Sequence, residues 1–298
     1  MYKLTIYIMM MTIFFNSALG KPINTLIDEV NSGDPEAQIR LGAAFIEQYS
    51  DEKTALQWYK KAADQNNPEG LFLTGLYNDN FAESLIFYEK AAELGHIEAT
   101  YLTISFYKNG RKGVPQDFEK AFKWQKRLVE IHPTAGAIES LANYYFDGLG
   151  VQKNVPKAYE LYFKAIEIED PSAIDYIPLF SSYIKLGDYY FHVDKDYKEA
   201  MYWYKKALAI TNFSKANHMV GRMYYSGLGV EQDYLEAINY FSKSPKYDES
   251  KNMIGVMYAL GQGFDQNTEK AYKIFYQLCN EGKGFQLSCE HLKAFKTE

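Results

Sequence analysis

Apolar side chains recur at intervals of three and four residues along most of the chain, with polar residues between them. In the stretch 220–244, Val220 and Tyr224 follow this spacing, and so do Ala237, Tyr240 and Phe241. Positions three and four apart lie on one face of an α-helix, so this stretch predicts two amphipathic helices. A single helix cannot bury its own apolar face, so we expect the two helices to pack on each other and on further helices.

A glycine turn separates these two predicted helices. Residues Gly227 to Val230 read GLGV, and two glycines let the chain reverse through positive φ without a steric penalty. Asp233 then precedes the second helix, where its carboxylate can accept the first free backbone N–H groups. The stretch therefore predicts a helix-turn-helix unit.

The same unit recurs along the chain. Its second helix starts with a small residue, which large apolar residues follow three and four positions later; the leading residues are Ala55, Ser84, Ala121, Ala158, Ala200, Ala237 and Ala271. Their spacing runs from 29 residues (55 to 84) to 42 residues (158 to 200). Such periods are typical of stacked helical pairs. We therefore predict an all-α fold, a right-handed α-solenoid of about seven repeats, with an extra turn at Pro171 and Pro178.

The motifs resemble the Sel-one-like repeat (SLR) family, relatives of the tetratricopeptide repeats. The turn GxGV matches at 148–151 and 227–230, GQGF at 261–264 is close to it, and WYKKAA at 58–63 matches the second helix. The resemblance covers roughly Asp34 to Gly284. The first, second and fifth units lack the GxGV turn, and the stretch 187–207 is closer to an ordinary tetratricopeptide repeat.

The N-terminal residues have the pattern of a secretory signal. Lys3 precedes an apolar run from Leu4 to Phe15, and the small residues Ala18 and Gly20 suit a signal peptidase. We predict a signal peptide at 1–20 and one repeat array at 21–298, located in the periplasm, with secretion as the alternative. The other interpretation of 1–20 is an uncleaved anchor, although the apolar run is short for a bilayer span.

Charge and cysteine content narrow the classes of function. The formal net charge is −6, and no lysine–arginine run is present, so the sequence argues against nucleic-acid binding. Cys279 and Cys289 lie ten residues apart, and a disulfide between them would tie the last repeat to a capping helix at 285–295. Two reduced, buried thiols are the alternative. His291 alone does not complete a metal site, so we expect no metal.

Catalytic motifs are weak in this sequence. The five histidines are scattered along the chain, and the sequence contains no P-loop. The glycine pairs of the turns follow predicted helices, whereas a nucleotide fingerprint follows a strand. No cofactor is therefore expected. Some relatives of this repeat type act on β-lactams, and SxxK occurs at Ser50, Ser105 and Ser182. The KTG element that serine enzymes of that kind need is missing. We therefore expect a protein without enzymatic activity, with β-lactam hydrolysis as a disfavoured alternative.

The resemblance also implies a binding face. In repeats of this kind the first helices line a concave surface, to which residues one and four places after the conserved glycine position, or three before it, contribute. Carried over position by position, these are Phe72, Tyr101, Lys108, Glu139, Asn143, Phe146, Phe191, His218, Arg222 and Tyr225. Aromatic and arginine side chains are common anchors of protein interfaces, so this set is expected to bind a protein partner.

The resemblance implies two versions of that function. One is a periplasmic immunity protein that neutralises a phospholipase toxin of the type VI secretion system, and the other is an inhibitor or assembly factor of an envelope system. A secreted effector that engages a host protein is the alternative from a different class.

Overall fold

Helices make up nearly all of the described chain. The computed structural model describes residues 23–31, 33–168, 179–281 and 285–294. The predicted signal peptide at 1–20 and the predicted extra turn at Pro171 and Pro178 lie outside these residues. Within them are sixteen α-helices and no β-strand, apart from an isolated bridge between Arg111 and Val114. The prediction of an all-α fold is confirmed.

Fourteen of these helices form seven consecutive pairs, the repeats predicted from the sequence. A first helix, α1 (Ile23–Val30), precedes them and α16 (Gln286–Ala294) follows them. The pairs are α2 (Pro35–Tyr49) with α3 (Glu52–Asp64), α4 (Pro68–Leu76) with α5 (Phe81–Glu93), α6 (Ile97–Asn109) with α7 (Phe118–Ile131), α8 (Ala135–Asp147) with α9 (Val155–Glu167), α10 (Phe180–Tyr189) with α11 (Tyr197–Ile210), α12 (Ser214–Ser226) with α13 (Tyr234–Ser242), and α14 (Asp248–Leu260) with α15 (Thr268–Tyr276).

Turn chemistry sets where these helices start and end. The Asp233 carboxylate accepts hydrogen bonds from the backbone N–H groups of Leu235 and Glu236, at 2.9 and 3.0 Å, and so caps α13. Gly227 ends α12 in the left-handed conformation, with φ 67°. The fifth repeat, which lacks the glycine turn, instead closes through a π-helical turn at Tyr190–Asp194 and the left-handed residue Lys195, with φ 59°.

The second glycine of each GxG turn serves a different purpose from the first. It lies against the start of the second helix in the preceding repeat. A Cβ added to Gly150 would stand 2.0 Å from the Phe118 carbonyl oxygen, and one added to Gly229 would stand 2.5 Å from the Tyr197 carbonyl carbon. Because no side chain fits in that space, the turn joins neighbouring repeats through direct backbone contact.

The second helix of each repeat buries a small residue, and in every repeat except the third, where Gln125 takes the position, it also buries an aromatic ring. Ala200 and Ala237 are fully buried, as the spacing predicted. The Tyr204 ring lies so close to Gly187 that an added Cβ would be 2.6 Å from a ring carbon, and Phe241 approaches Gly221 in the same way, at 2.7 Å. The glycine of the first helix therefore makes room for the ring that fills the core of the pair.

The chain divides into two compact units, residues 1–158 and 159–298, with the boundary inside α9. In unit 1 a continuous apolar cluster extends from Ile39 to Tyr144. In unit 2 smaller clusters centre on Phe241 and on Phe275. Each unit therefore contains its own buried core, and each is described by itself below.

Candidate protein-binding surfaces

The first helices of unit 2 carry a cluster of charged side chains. Asp188 on α10 forms an ion pair with Lys215 on α12, and it accepts a hydrogen bond of 2.8 Å from the Tyr204 hydroxyl on α11. The Asp188 side chain is only 18% exposed, so its charge is neutralised within the protein. The contact fixes the positions of three helices relative to one another and gives the surface a rigid base.

Arg222 projects from this base into solvent. Its guanidinium carbon lies 5.5 Å from the ring centre of Phe191, and the side chain is exposed. Within the described ranges of the chain, Arg222 forms no ion pair with a carboxylate. This part of unit 2 therefore presents an uncompensated cation beside an aromatic ring. Phe191 itself is only 8% exposed, so it supports Arg222 rather than offering a contact surface of its own.

His218 lies beneath the same surface. It is 7% exposed, its ring lies 5.6 Å from that of Phe241 and 5.1 Å from that of Tyr247, and its Nδ1 is 3.1 Å from the Ser250 hydroxyl. Burial, and secondarily the charge of Arg222, lowers the pKa of His218 to about 4. His218 is therefore neutral at pH 7 and acts in packing.

Tyr225 is held in place by hydrogen bonds to the next repeat. Its hydroxyl donates to Gln262 Oε1 at 2.9 Å, and Gln262 Nε2 in turn donates to the Tyr234 hydroxyl at 3.3 Å. Burial raises the pKa of Tyr225 above its usual value. The phenol is half-buried, so it offers one edge to solvent in a fixed orientation.

The residues predicted in unit 1 differ in exposure. Phe72 is 2% exposed and stacks on the His96 ring at 4.5 Å, so it belongs to the core and we exclude it from the candidate surface. Tyr101 and Lys108 lie on α6 and are exposed. The Lys108 ammonium lies 6.0 Å from the ring centre of Tyr144.

Three further predicted residues of unit 1 lie on α8. Glu139, Asn143 and Phe146 are each half-buried, and the Lys153 ammonium is 5.7 Å from the Phe146 ring centre. Since half-buried side chains still offer part of their surface, these three remain candidates for contact.

The sequence prediction omitted Asp188. It directly follows Gly187, as Arg222 follows Gly221, so the same positional rule selects it. Lys215 lies six residues before Gly221, nearly two helical turns away, and no motif marks it. Its opposite charge was the only signal in the sequence for its pairing with Asp188.

The two cysteines form the predicted disulfide. The Cys279 and Cys289 sulfurs are 2.05 Å apart, and the bond ties the π-helical turn at Gln277–Glu281 to α16. The other prediction for this region, a capping helix at 285–295, matches α16 closely. A disulfide is consistent with an oxidising compartment outside the cytoplasm.

The serines of the SxxK motifs lie at separate places. Ser50 follows the end of α2 in a left-handed conformation, Ser105 on α6 receives a hydrogen bond of 3.2 Å from Asn109, and Ser182 is buried on α10. Over the described ranges, no three His, Cys, Asp or Glu side chains are grouped closely enough to hold a metal ion. Likewise, none of the helices described there is both long and apolar enough to cross a bilayer.

Comparison with known proteins identifies the family. The Sel1 repeat matches residues 35–67, 71–96, 105–127, 135–170, 181–209, 214–244 and 248–283, which correspond to the seven helical pairs. The chain therefore belongs to the Sel1 repeat family, as the resemblance implied. Repeats of this family generally mediate protein binding, so the chain belongs to a class of scaffold proteins.

Solved structures support this fold. One is c5321, a protective antigen with an SLR fold from uropathogenic Escherichia coli strains, with TM-score 0.65 and 23% identity over 94% of this chain. This chain spans only 60% of the length of c5321. Another is a Sel1 repeat protein from Oxalobacter formigenes, with TM-score 0.60 and 21% identity over 94% of this chain and 83% of that one. The immunity protein Pa5087 from Pseudomonas aeruginosa is more distant, with TM-score 0.37 and 18% identity over 71% of this chain and 80% of that one.

Proposed function

We propose that this protein is an exported scaffold that holds a specific protein partner through the exposed faces of its first helices, without catalysing a reaction. The observation that carries the proposal is Arg222, an exposed guanidinium beside Phe191 with no carboxylate partner in the described chain. Arginine and aromatic residues on rigid supports dominate the energetics of protein interfaces. The Asp188–Lys215 ion pair supplies such a support, because it fixes α12 against α10.

The chemistry of Arg222 indicates what it binds. A planar guanidinium pairs best with a carboxylate, through two parallel hydrogen bonds. The partner therefore presents an aspartate or glutamate side chain to unit 2. The chain as a whole carries a net charge of −6, so a local cation of this kind also selects the orientation in which an acidic partner segment approaches.

The proposed location is the periplasm. The Cys279–Cys289 disulfide supports a compartment outside the cytoplasm, and the pattern at 1–20 remains a prediction of export. Among periplasmic roles, we propose immunity against a phospholipase toxin as the first to test, because it is one of the two versions that the family resemblance suggests. An inhibitor or assembly factor of an envelope system is the second version of the same binding function.

The test is affinity capture from a cell-envelope extract with the full chain and two variants. Arg222→Ala removes the candidate anchor. Lys243→Ala is the matched control, since its ammonium also lies over a ring, 4.7 Å from the centre of Tyr240, but at the end of the second helix α13. A partner that binds the predicted surface should be captured by the Lys243→Ala variant but not by the Arg222→Ala variant. For the purified partner, we expect Arg222→Ala to raise the dissociation constant about tenfold or more.

Equal capture by Arg222→Ala and the unaltered chain would remove the first-helix surface of unit 2 from the proposal. The identity of a captured partner tests the finer versions. A phospholipase whose hydrolysis stops upon binding supports immunity, whereas a partner without lipase activity contradicts immunity and leaves scaffold binding in place. Accumulation of the protein in the culture medium rather than in the envelope would favour the effector alternative.

A further inference from the structure

A cavity of about 310 Å³ lies in unit 1 between the second and third repeats. Its apolar wall comes from Leu102 and the rings of Tyr88 and Phe106, and its lining also includes the charged residues Asp79 and Arg111. Small-ligand pockets share this design, a mostly apolar wall with a few polar groups that set orientation, and this volume lies at the lower end of their range.

The cavity lies where the second repeat has a short linker. Four residues, 77–80, connect α4 to α5, whereas seven residues, 227–233, connect α12 to α13 in the sixth repeat. The short linker lacks the GxGV turn, whose apolar residues pack against the core elsewhere in unit 1, as Leu149 and Val151 do. Asn78 and Asp79 of this linker line the cavity.

The sixth and seventh repeats show how the corresponding space is closed in unit 2. There the side chains of Tyr225, Gln262 and Tyr234 form a chain of two hydrogen bonds. Gly221 and Gly255 hold one position in the first helices of the sixth and seventh repeats, and Gly75 and Ile104 hold it in the second and third. Counted from that position, and from the first residue of each second helix, the corresponding residues are Asp79, Arg111 and Phe81.

These three residues of unit 1 leave their space open. Phe81 packs edge-on against Phe106, with ring centres 6.0 Å apart. No hydrogen bond or ion pair joins Asp79 to Arg111 in the described structure. Two opposite charges and an aromatic wall are therefore available to a ligand.

Tyr88 in the cavity wall has a polar group that the protein does not use. The side chain is 4% exposed, yet its hydroxyl has no hydrogen-bond partner among the described residues. The corresponding tyrosine of the fifth repeat, Tyr204, donates its hydroxyl to Asp188, the residue after the conserved glycine. In the second repeat that position is Leu76, which has no side-chain acceptor. Burial raises the pKa of Tyr88 well above its usual value, so the hydroxyl keeps its proton and can donate to a ligand.

Arg111 and Asp79 complete the set of available polar groups. The Arg111 guanidinium lies 5.8 Å from the Phe106 ring centre, and the hydrogen bond it forms is a long one of 3.3 Å to the Gly110 carbonyl. Asp79 is exposed and has no partner within the described chain. An unpartnered hydroxyl donor and a guanidinium together fit a carboxylate, and the aspartate fits an ammonium group.

We propose that this cavity binds an amino-acid unit with an apolar or aromatic side chain and a free α-carboxylate. The side chain packs on Phe106, and Arg111 and the Tyr88 hydroxyl bind the carboxylate. The ligand is either a free amino acid, whose ammonium pairs with Asp79, or the C-terminal residue of a polypeptide, which has no ammonium there. The site lies in unit 1 and is separate from Arg222, so its failure would leave the proposed scaffold function untouched.

The test uses three small probes with the full chain: L-phenylalanine, N-acetyl-L-phenylalanine and L-phenylalaninamide. Titration calorimetry, or NMR line broadening of the probe, reports binding. We expect at least one of the two acids to bind, and the amide to bind at least about tenfold more weakly because it lacks the carboxylate. Arg111→Gln should weaken binding of that acid about tenfold or more, and Tyr88→Phe about threefold to tenfold.

Arg127→Gln is the matched control, because Arg127 is an exposed arginine of unit 1 that pairs with Glu130 on α7, away from the cavity. It should bind the acids as the unaltered chain does. Circular dichroism of each variant checks that the helices remain folded. Tyr88→Phe removes one oxygen and keeps the ring in place, so a loss of binding by this variant does not reflect a lost core.

The pattern of binding identifies the source of the ligand. Binding of N-acetyl-L-phenylalanine, unchanged by Asp79→Asn, supports a polypeptide C-terminus. Binding of L-phenylalanine alone, weakened by Asp79→Asn, supports a free amino acid. The proposal is overturned if neither acid binds, if the amide binds as tightly as the acids, or if both Arg111→Gln and Tyr88→Phe bind like the unaltered chain.

Discussion

His218 and Arg222 lie one helical turn apart on α12, yet the fold gives them different roles. Helical spacing places both on one face, but neighbouring repeats decide how deep each side chain lies. Rings of Phe241 and Tyr247 and the hydroxyl of Ser250 surround His218, whereas the guanidinium of Arg222 reaches solvent. At this scale a single turn of helix separates a packing residue from a candidate binding residue.

His218 leads to a prediction about pH. Its pKa falls from 6.5 to about 4 in the folded protein, so folding favours the neutral ring. The resulting stabilisation is complete above about pH 6.5 and is lost as the pH falls toward 4, because the unfolded chain then binds a proton that the folded chain excludes. We expect the urea midpoint to fall in this window.

His218→Asn is the comparison variant, because asparagine occupies the same position in the next repeat, as Asn252. Its overall stability will be lower, but the fall between pH 6.5 and pH 4 should be shallower than in the unaltered chain. Identical slopes in the two proteins would show that other groups cause the pH dependence.

At the scale of the element, the GxG turn combines two requirements. Its first glycine ends a helix in the left-handed region, and its second lies against the backbone of the preceding repeat, as Gly150 does against Phe118. A turn chosen for chain reversal alone would need only the first property. The fifth repeat lacks this turn and closes with a π-helical turn, so the helical pair itself tolerates both solutions.

Gly150→Ala tests the contact role of the turn. The substitution places a methyl group 2.0 Å from the Phe118 carbonyl oxygen. It also puts a residue with a Cβ into the left-handed region, at φ 65°. We expect unit 1 to lose about 3 kcal/mol of stability, from overpacking and backbone strain together. Gly136→Ala is the control in the same unit, since an added Cβ meets nothing within 4 Å and Gly136 lies inside α8. That change should be neutral or stabilising by up to about 1 kcal/mol. Equal urea midpoints for the two variants would contradict the contact role.

At the scale of the whole molecule, the chain comprises two compact units and closes its last repeat with a disulfide. Repeat proteins distribute their core among neighbouring pairs, so terminal repeats lack a partner on one side. In unit 2, α16 covers that side: Leu292 is buried and His291 packs on Phe275, with rings 4.8 Å apart. The disulfide then restrains the covering helix.

Replacing Cys279 and Cys289 by serine tests this restraint. Cross-links that close loops of about ten residues stabilise proteins by about 3 kcal/mol, chiefly by restricting the unfolded chain. We expect unit 2 to unfold at lower urea, and amide exchange in α16 to accelerate more than in any other helix of that unit. Amides of unit 1 provide the internal control and should keep their rates. Unchanged exchange in α16 would show that packing alone holds the helix.

The sequence by itself determined the repeats, because the signals for them are local. Helical spacing, the aspartate caps, the glycine turns and the small residues that lead each second helix all act within one repeat. They predicted seven helical pairs, and the cysteine spacing predicted the disulfide. The family resemblance of the motifs also named the first-helix positions from which Arg222 and Tyr101 are exposed.

Only the tertiary structure decided which of those positions are available and which are filled. Phe72 is buried although it follows the same rule as its neighbours, Asp188 is neutralised by Lys215, and a cavity opens beside Tyr88. Each outcome depends on side chains contributed by another helix, often in the adjacent repeat. The pattern within one repeat does not specify those distances, because burial and charge pairing arise only when separate segments are packed together.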